Sequence, residues 1–157
     1  MFRVYKREDC CRMNVYIELT NENAVIPSYN IEWDAGMDLY SPYSITIPPQ
    51  ETVVVKLGFK LVIPKGWEGQ IRPRSGMSLT TPIRVANAPG TIDSQYRDEV
   101  GVILTNTSLN TYIEINRGDR VAQILFKEVP RVTFQQVASV LEISPEDRGG
   151  GFGSSGK

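Results

Sequence analysis

The chain contains no histidine, and that absence narrows its chemistry before any motif is considered. A Ser/His/Asp triad, an imidazole general base and a histidine-ligated transition metal are all excluded. In a hydrolase built from this sequence the expected base is a carboxylate and the expected metal a hard, oxygen-bound one such as Mg²⁺. Cys10 and Cys11 are adjacent, which suits neither an ordinary disulfide nor a four-ligand zinc site, and they read as two reduced thiols near a terminus. The remaining capable groups fall in short clusters. Arg74-Ser75-Gly76 offers a guanidinium, a hydroxyl and a glycine that lets the backbone approach, ahead of a short helix whose free N–H groups favour anions. The same residues are also what a serine helix cap after a proline turn looks like. Asp93 and Tyr96 lie three apart, and Asp38 lies in a strand-like Asp-Leu-Tyr, where a buried, unpaired acid would be costly. Without their neighbours, these are a turn aspartate, a half-buried tyrosine and a solvated strand-end acid.

The elements that must position these groups are short and β-type. Strand patterns recur at Val15 to Leu19, Ser44 to Ile47, Thr52 to Lys56, Phe59 to Ile63, Val100 to Thr105, Tyr112 to Ile115, Val121 to Lys127 and Arg131 to Val137. Pro48-Pro49, Pro64-Lys65-Gly66 and Asn116-Arg117-Gly118-Asp119 punctuate them. The pattern predicts an all-β, jelly-roll-like sandwich or barrel with one short helix, opening near Ser75-Gly76-Met77-Ser78. Pro89-Gly90 favours a tight bend, so Asn87 to Tyr96 is expected to form a β-hairpin whose tip backbone points into a pocket. Alternation places Val121, Gln123 and Leu125 on one strand face and Ala122, Ile124 and Phe126 on the other, so a buried Gln123 would need partners. At 157 residues the chain supports one domain, over residues 1–143, with residues 1–14 an arm or extra strand. Residues 144–157 are too rich in glycine to offset their ordering entropy and are expected to be mobile on their own.

Read together, the clusters are Ala35-Gly36-Met37-Asp38-Leu39, Pro73-Arg74-Ser75-Gly76-Met77, Asn87-Ala88-Pro89-Gly90-Thr91-Ile92-Asp93-Ser94-Gln95-Tyr96-Arg97, Arg117-Gly118-Asp119-Arg120-Val121-Ala122-Gln123 and the glycine-rich tail. In this order they resemble the five motifs of the trimeric dUTPase family, over most of residues 24–156. The resemblance implies Mg²⁺-assisted hydrolysis of dUTP to dUMP and pyrophosphate, which limits uracil in DNA and supplies dUMP for thymidylate synthesis. It also implies a homotrimer with shared active sites. Asp93 would position the water that attacks the α-phosphorus, and Tyr96 would pack on deoxyribose and exclude a 2′-hydroxyl. Asn87, with Gly90, Thr91 and Ile92 of the same bend, would meet uracil. Arg74, Ser75, Gly76 and Gln123 would face the phosphates, and Asp38 would hold Mg²⁺ through water. Arg148, Phe152, Ser154 and Ser155 would form a lid, with Phe152 over the base. Two positions depart from the family pattern: three residues rather than four separate Arg148 from Phe152, and Asp98 stands where glycine is common. Asp119 and Arg120 are expected to be structural, as an ion pair or turn.

Charge and hydropathy imply neither nucleic acid nor membrane as partner. Acidic and basic residues nearly balance, with a net charge of -1, so any charged ligand must be held locally. No apolar run approaches the roughly 18 residues of a membrane span, and Met1 to Met13 lacks the apolar stretch of a signal peptide, so the expected location is cytosolic or nuclear. Two rival functions use the same residues. A dCTP deaminase, alone or joined to dUTP hydrolysis, is disfavoured by Ile92-Asp93 and Tyr96. A nucleotide-gated binding partner acting through a protein surface is disfavoured by the presence of Asp93.

Overall fold

A computed structural model describes residues 13–147 and 149. Cys10, Cys11, Arg148, Phe152, Ser154 and Ser155 lie outside the described residues, as does most of the expected N-terminal arm. Eleven strands and one helix follow in chain order: β1 (Tyr16–Leu19), β2 (Met37–Tyr40), β3 (Ile45–Ile47), β4 (Thr52–Lys56), β5 (Phe59–Val62), β6 (Trp67–Arg72), α1 (Ser75–Thr80), β7 (Ile83–Val85), β8 (Gly90–Ile92), β9 (Gly101–Asn106), β10 (Ile113–Ile115) and β11 (Arg120–Glu128). A 3-10 turn, Val140–Glu142, follows. The strands pair antiparallel in the orders β2-β11-β6-β8, β4-β9-β7, β1-β5 and β10-β3. This is the expected all-β architecture. Among the described residues no helix is long and apolar enough to cross a membrane.

The core forms where alternation turns one residue in two inward. Along β9 the pattern is regular: Val102, Leu104 and Asn106 are fully buried, facing Leu39, Val55, Phe59 and Ile124 in the same cluster of buried side chains or its lining. Asn106 is polar in that position because it ties the chain together. Its Nδ2 donates to Ile47 O at 3.0 Å and Thr111 O at 2.7 Å, while Oδ1 accepts from Ser108 N at 3.0 Å. The amide thus joins the end of β9 to β3 and to the loop entering β10.

Four strands lack a legible period, and each has a physical reason. β6 turns Gly69 inward, where a Cβ would meet Ile63 Cδ1 at 3.3 Å and Ile124 Cδ1 at 3.4 Å. The sheet therefore needs a missing side chain where pattern reading looks for an apolar one. β2, β7 and β8 span four, three and three residues, fewer than alternation needs to stand out.

Two expectations are corrected. Arg131 to Val137 is not a strand; after Val129 N donates to Gly66 O at 2.7 Å, Pro130 ends the ladder and no described strand lies alongside. The segment's alternation is real but a strand needs a partner for its backbone groups, and Phe134 is left 94% exposed. Asn87 to Tyr96 is not a two-stranded hairpin either. The bend forms, with a cis Ala88–Pro89 peptide, but its limbs belong to different sheets: β7 pairs with β9, and β8 with β6. The bend is a crossing between layers.

Replacing Asn106 by Leu keeps the volume and removes three hydrogen bonds from a dry site. Two carbonyls and one N–H lose their partner, which should cost roughly 2–4 kcal/mol. Denaturant unfolding measures this; a loss below about 0.5 kcal/mol would contradict the tie.

Candidate active site

Most of the described residues expected to carry chemistry gather in two clefts, and Asp93 lines neither. The first, about 300 Å³ in volume, is lined by Asp38, Arg74, Ser75, Gly76 and Gln123 together with Asn30, Asp34, Gly36 and Arg120. The second, about 170 Å³, is lined by Asn87, Gly90, Thr91, Ile92 and Tyr96 over a floor that includes Ile71, Val100 and Ile103. One is polar and charged. The other, the apolar slot, is narrower: its floor is aliphatic, while Asn87, Thr91 and Tyr96 make much of its wall polar.

In the polar cleft Asp38 is the centre. Antiparallel pairing sets Gln123 of β11 opposite both Asp38 of β2 and Arg72 of β6, so Arg74, two residues beyond Arg72, can reach across. Its Nε donates to Asp38 Oδ1 at 2.8 Å, and Arg120 Nη1 donates to Oδ2 at 3.2 Å. The Arg74 side chain is 23% exposed and that of Asp38 17%, so this charge-assisted bond contributes about 1–3 kcal/mol. Arg120 is 46% exposed, and a pair that open to water adds at most about 1 kcal/mol. Arg120 is thus an ion pair as expected, while Asp119 makes the turn, its Oδ2 accepting from Asn116 N at 2.8 Å. Asp119 also accepts Ser41 N through its backbone carbonyl.

Arg74 gives one of its five donors to Asp38, and the other four remain available to an anion. The helix contributes less than the sequence suggests. α1 has six residues, its N-cap is Arg74 and no side chain caps it, so Ser75 is not the capping serine and fewer than two turns supply little dipole. Anion attraction here comes from guanidinium groups.

Gln123 differs from expectation in its partner. Its Nε2 donates to Pro73 O at 2.9 Å, so the amide braces the peptide just before Arg74. Gly36 makes this arrangement fit, since a Cβ there would stand 2.5 Å from Gln123 Oε1. Sequence reasoning placed Gly36 in a motif without finding its role; the interlock with Gln123, 87 positions away, leaves no local signal. Asp34 and Asn30 were also missed. Asp34 Oδ2 accepts from Ile31 N at 2.9 Å, closing the turn that brings both to the cleft.

Among the described residues no group of three or more His, Cys, Asp or Glu side chains is placed to hold a metal ion, so these residues form no all-protein cage. The donor set does fit Mg²⁺ arriving with a polyphosphate, which is typically held by one or two carboxylates and several waters. Asp38 and Asp34 are such carboxylates. Each Asp38 oxygen accepts one guanidinium bond and keeps a lone-pair site for a water.

In the apolar slot Tyr96 N donates to Asp93 O at 3.0 Å and Tyr96 Oη to Glu99 O at 3.1 Å, which sets the ring at the opening. Asn87 lies over Gly90, where a Cβ would come 3.2 Å from Nδ2. Asp93 directly follows β8, is exposed, and its carboxylate engages no described residue.

A family model for dUTPase matches residues 22–156. The chain belongs to the dUTPase family. A deoxyuridine 5'-triphosphate nucleotidohydrolase of Clostridium novyi (strain NT) is 44% identical over 145 residues, covering 92% of this chain and 99% of the relative. One from Wolbachia sp. subsp. Brugia malayi (strain TRS) is 48% identical over 134 residues, covering 84% and 85%. Among solved structures, the dUTPase of Staphylococcus bacteriophage 80alpha with dUPNHPP aligns with a TM-score of 0.84 at 27% identity, covering 92% of this chain and 99% of that one. A point mutant of the dUTPase from phage phi11 of S. aureus, which coordinates a structural Mg(II) ion, aligns with a TM-score of 0.76 at 25% identity, covering 82% and 99%. The jelly-roll dUTPase fold is therefore the frame on which both clefts are built.

That frame sets Asp93 apart from Arg74. Gly69 pairs with Ile92, so Asp93 falls level with residue 68, at the start of β6, while Arg74 lies past its other end. Six residues at about 3.3 Å each separate them by roughly 20 Å. Asp38 and Asp93 are equally distant, on opposite edges of a four-stranded sheet.

Gly36→Ala should push the Gln123 amide away and break its bond to Pro73 O. Because the far end of a side chain can move, the cost is that of one hydrogen bond, about 1 kcal/mol. Denaturant midpoints of the two proteins give the value; identical midpoints would show that the brace contributes nothing.

Proposed function

We propose that this chain is a dUTP hydrolase producing dUMP and pyrophosphate, with each complete active site assembled from more than one copy. The observation that carries the reading is the division of the dUTPase motifs between a cleft lined by charged side chains, suited to phosphates, and an uncharged slot with an aliphatic floor, suited to a nucleoside.

The apolar slot takes the nucleoside. Uracil offers an acceptor where cytosine offers a donor, so polar groups made for one are left unpaired by the other, at roughly 1–3 kcal/mol each. Asn87 supplies the side-chain amide, with Gly90, Thr91 and Ile92 beside it. The ring of Tyr96 packs on the sugar and leaves no room for a 2′-hydroxyl. The polar cleft takes the triphosphate on Arg74, Ser75 and Gly76, with Gln123 holding the Arg74 peptide in place. Asp93 orients the attacking water. Its oxygen bonds to the α-phosphorus in line with the departing pyrophosphate, the bond from that phosphorus to the bridging oxygen breaks, and the water proton passes to the carboxylate. An exposed carboxylate is a weak base, so most of its effect is orientation.

The polar cleft also supports a role for Mg²⁺. Arg74 and Arg120 are offset by Asp34 and Asp38, so the cleft has little net charge to hold a triphosphate. When bound, Mg²⁺ supplies that neutralisation and orients the phosphates. Asp38 would hold it through water.

A separation of about 20 Å is a long reach for one chain to bring Asp93 to a phosphorus held by its own Arg74. A homotrimer with shared sites resolves this, pairing the slot of one copy with the cleft of another. The arm after β11 is suited to such assembly, since Val132, Phe134, Val140 and Ile143 are exposed and would be covered. Residues 144–157 then act as a lid in which Arg148, Phe152, Ser154 and Ser155 close over the bound nucleotide.

Pyrophosphate release across dUTP, UTP, dCTP and dTTP, with and without Mg²⁺, tests the assignment: dUTP should be strongly preferred, and ammonia release from dCTP would favour a deaminase instead. Asp93→Asn should still bind dUTP while turnover falls at least about 10²-fold, the usual loss of a positioned acid–base group; near-normal turnover removes Asp93 from the mechanism. A chain ending at Pro145 should fold and keep its oligomeric state but lose most activity, because closure and exclusion of water are gone. Unaltered turnover in the truncated chain would refute the lid.

A further inference from the structure

Tyr96 is not held by its own segment alone. The loop from Asp93 to Glu99 closes on itself through Tyr96 N to Asp93 O and Tyr96 Oη to Glu99 O, and it is fixed to the rest of the protein by Glu99. Glu99 Oε1 accepts from Gly58 N at 2.8 Å in a part-buried contact, and its carbonyl, the one that receives the tyrosine hydroxyl, also accepts from Lys56 Nζ at 3.3 Å. Both partners lie at the β4–β5 turn, outside every motif of the family.

Gly58 is a junction. Its φ of +76° is a conformation that side-chain-bearing residues rarely adopt, and a Cβ would meet Asn21 Cβ at 2.7 Å and Ala24 Cβ at 2.9 Å. Its carbonyl accepts from Thr20 N at 2.7 Å and Asn21 N at 3.2 Å, so its amide N–H is presented to Glu99 from a position fixed on the opposite side. The residue after Glu99 is anchored as well: Leu57 N donates to Val100 O and Val100 N to Phe59 O, each at 2.9 Å.

We propose that Glu99 is a positioning residue for sugar selection: its carboxylate, held by the Gly58 N–H, sets the carbonyl that holds the Tyr96 hydroxyl and so fixes how near the ring stands to the sugar. This rests on the reading of Tyr96 as the filter against a 2′-hydroxyl. Tyr96 is 38% exposed, so packing alone does not fix its ring, and a filter that works by contact loses discrimination when the ring can swing. Asp98 precedes Glu99 in a loop position that the family commonly gives to glycine. The anchor after it therefore limits what that loop can do.

The test compares kcat/KM for dUTP and UTP in the full-length protein and in Glu99→Ala, Glu99→Gln and Tyr96→Ala. Glu99→Ala should narrow the dUTP:UTP ratio by roughly three- to tenfold, the effect of one lost hydrogen bond. Glu99→Gln, whose amide oxygen can still accept from Gly58 N, should restore most of the ratio, and Tyr96→Ala should narrow it at least as far as Glu99→Ala. A role in folding alone would lower the melting temperature and both rates without moving the ratio. An unchanged ratio in Glu99→Ala, with a narrowed one in Tyr96→Ala, overturns the proposal and leaves the tyrosine filter standing. An unchanged ratio in Tyr96→Ala instead removes the filter itself. If the alanine protein does not fold, Glu99→Asp, which withdraws the acceptor by one methylene, takes its place with the same expected direction and the same contrary result.

Discussion

The phosphate side of this protein depends on one carboxylate shared by two guanidinium groups. Asp38 reaches from β2 to Arg74, which follows β6, and to Arg120, which opens β11. Three separate stretches of chain thereby converge on a point that no single one could define. The Arg74 bond carries most of the energy because it is the more buried of the two, while Arg120 contributes mainly by setting the local charge. The same pairing orients the Arg74 fork, since a guanidinium bound through Nε has its remaining donors aimed as a group rather than free to rotate. Gln123 adds a second restraint from the strand between, through Pro73 O. The cleft is therefore organised before ligand arrives, which reduces what binding must order.

Much of this was legible in the sequence, and the parts that were not share a cause. The strands with clean alternation, β4 and β9 above all, were read within a residue of their ends. Their inward positions are apolar up to Asn106, and β4 is marked off by Pro48-Pro49 and Gly58. β6 was not, because its inward residue Gly69 is small where three other side chains already fill the space. Arg131 to Val137 has the composition of a strand without a partner in the same chain. That kind of error is inherent in reading one copy, since alternation records which residues could be buried and says nothing of which molecule buries them. The Asn87–Tyr96 bend was recognised as a turn, yet its limbs were assigned to each other although they pair into different sheets.

The candidate site was legible as a set of residues and illegible as a geometry. Asp38, Arg74, Ser75, Gly76 and Gln123 do meet, and so do Asn87, Gly90, Thr91, Ile92 and Tyr96. What the motifs could not reveal was that Asp93 and Arg74 stand level with opposite ends of one strand, β6. Nor could they show that Gln123 faces a backbone carbonyl. Gly36 and Glu99 escaped notice because their significance lies in contacts with residues distant in sequence. A glycine that only makes room, and an acid that only accepts one N–H, leave no chemical pattern of their own.

The register of β6 sets Asp93 and Arg74 roughly 20 Å apart, and that spacing is the ground for proposing a site shared between copies. Asp93 follows β8 on one edge of the four-stranded sheet, and Asp38 lies on the opposite edge strand, β2. The most direct test is complementation between two inactive chains, Asp93→Asn with an intact polar cleft and Arg74→Ala with an intact apolar slot. Each is measured alone and after the two are unfolded together and refolded as a mixture. If sites are shared between copies, the mixture must regain dUTP hydrolysis, because some sites pair an intact Asp93 from one chain with an intact Arg74 from the other. If the mixture, shown by mass to contain hybrid oligomers, is no more active than its components, each chain completes its own site and the account is wrong.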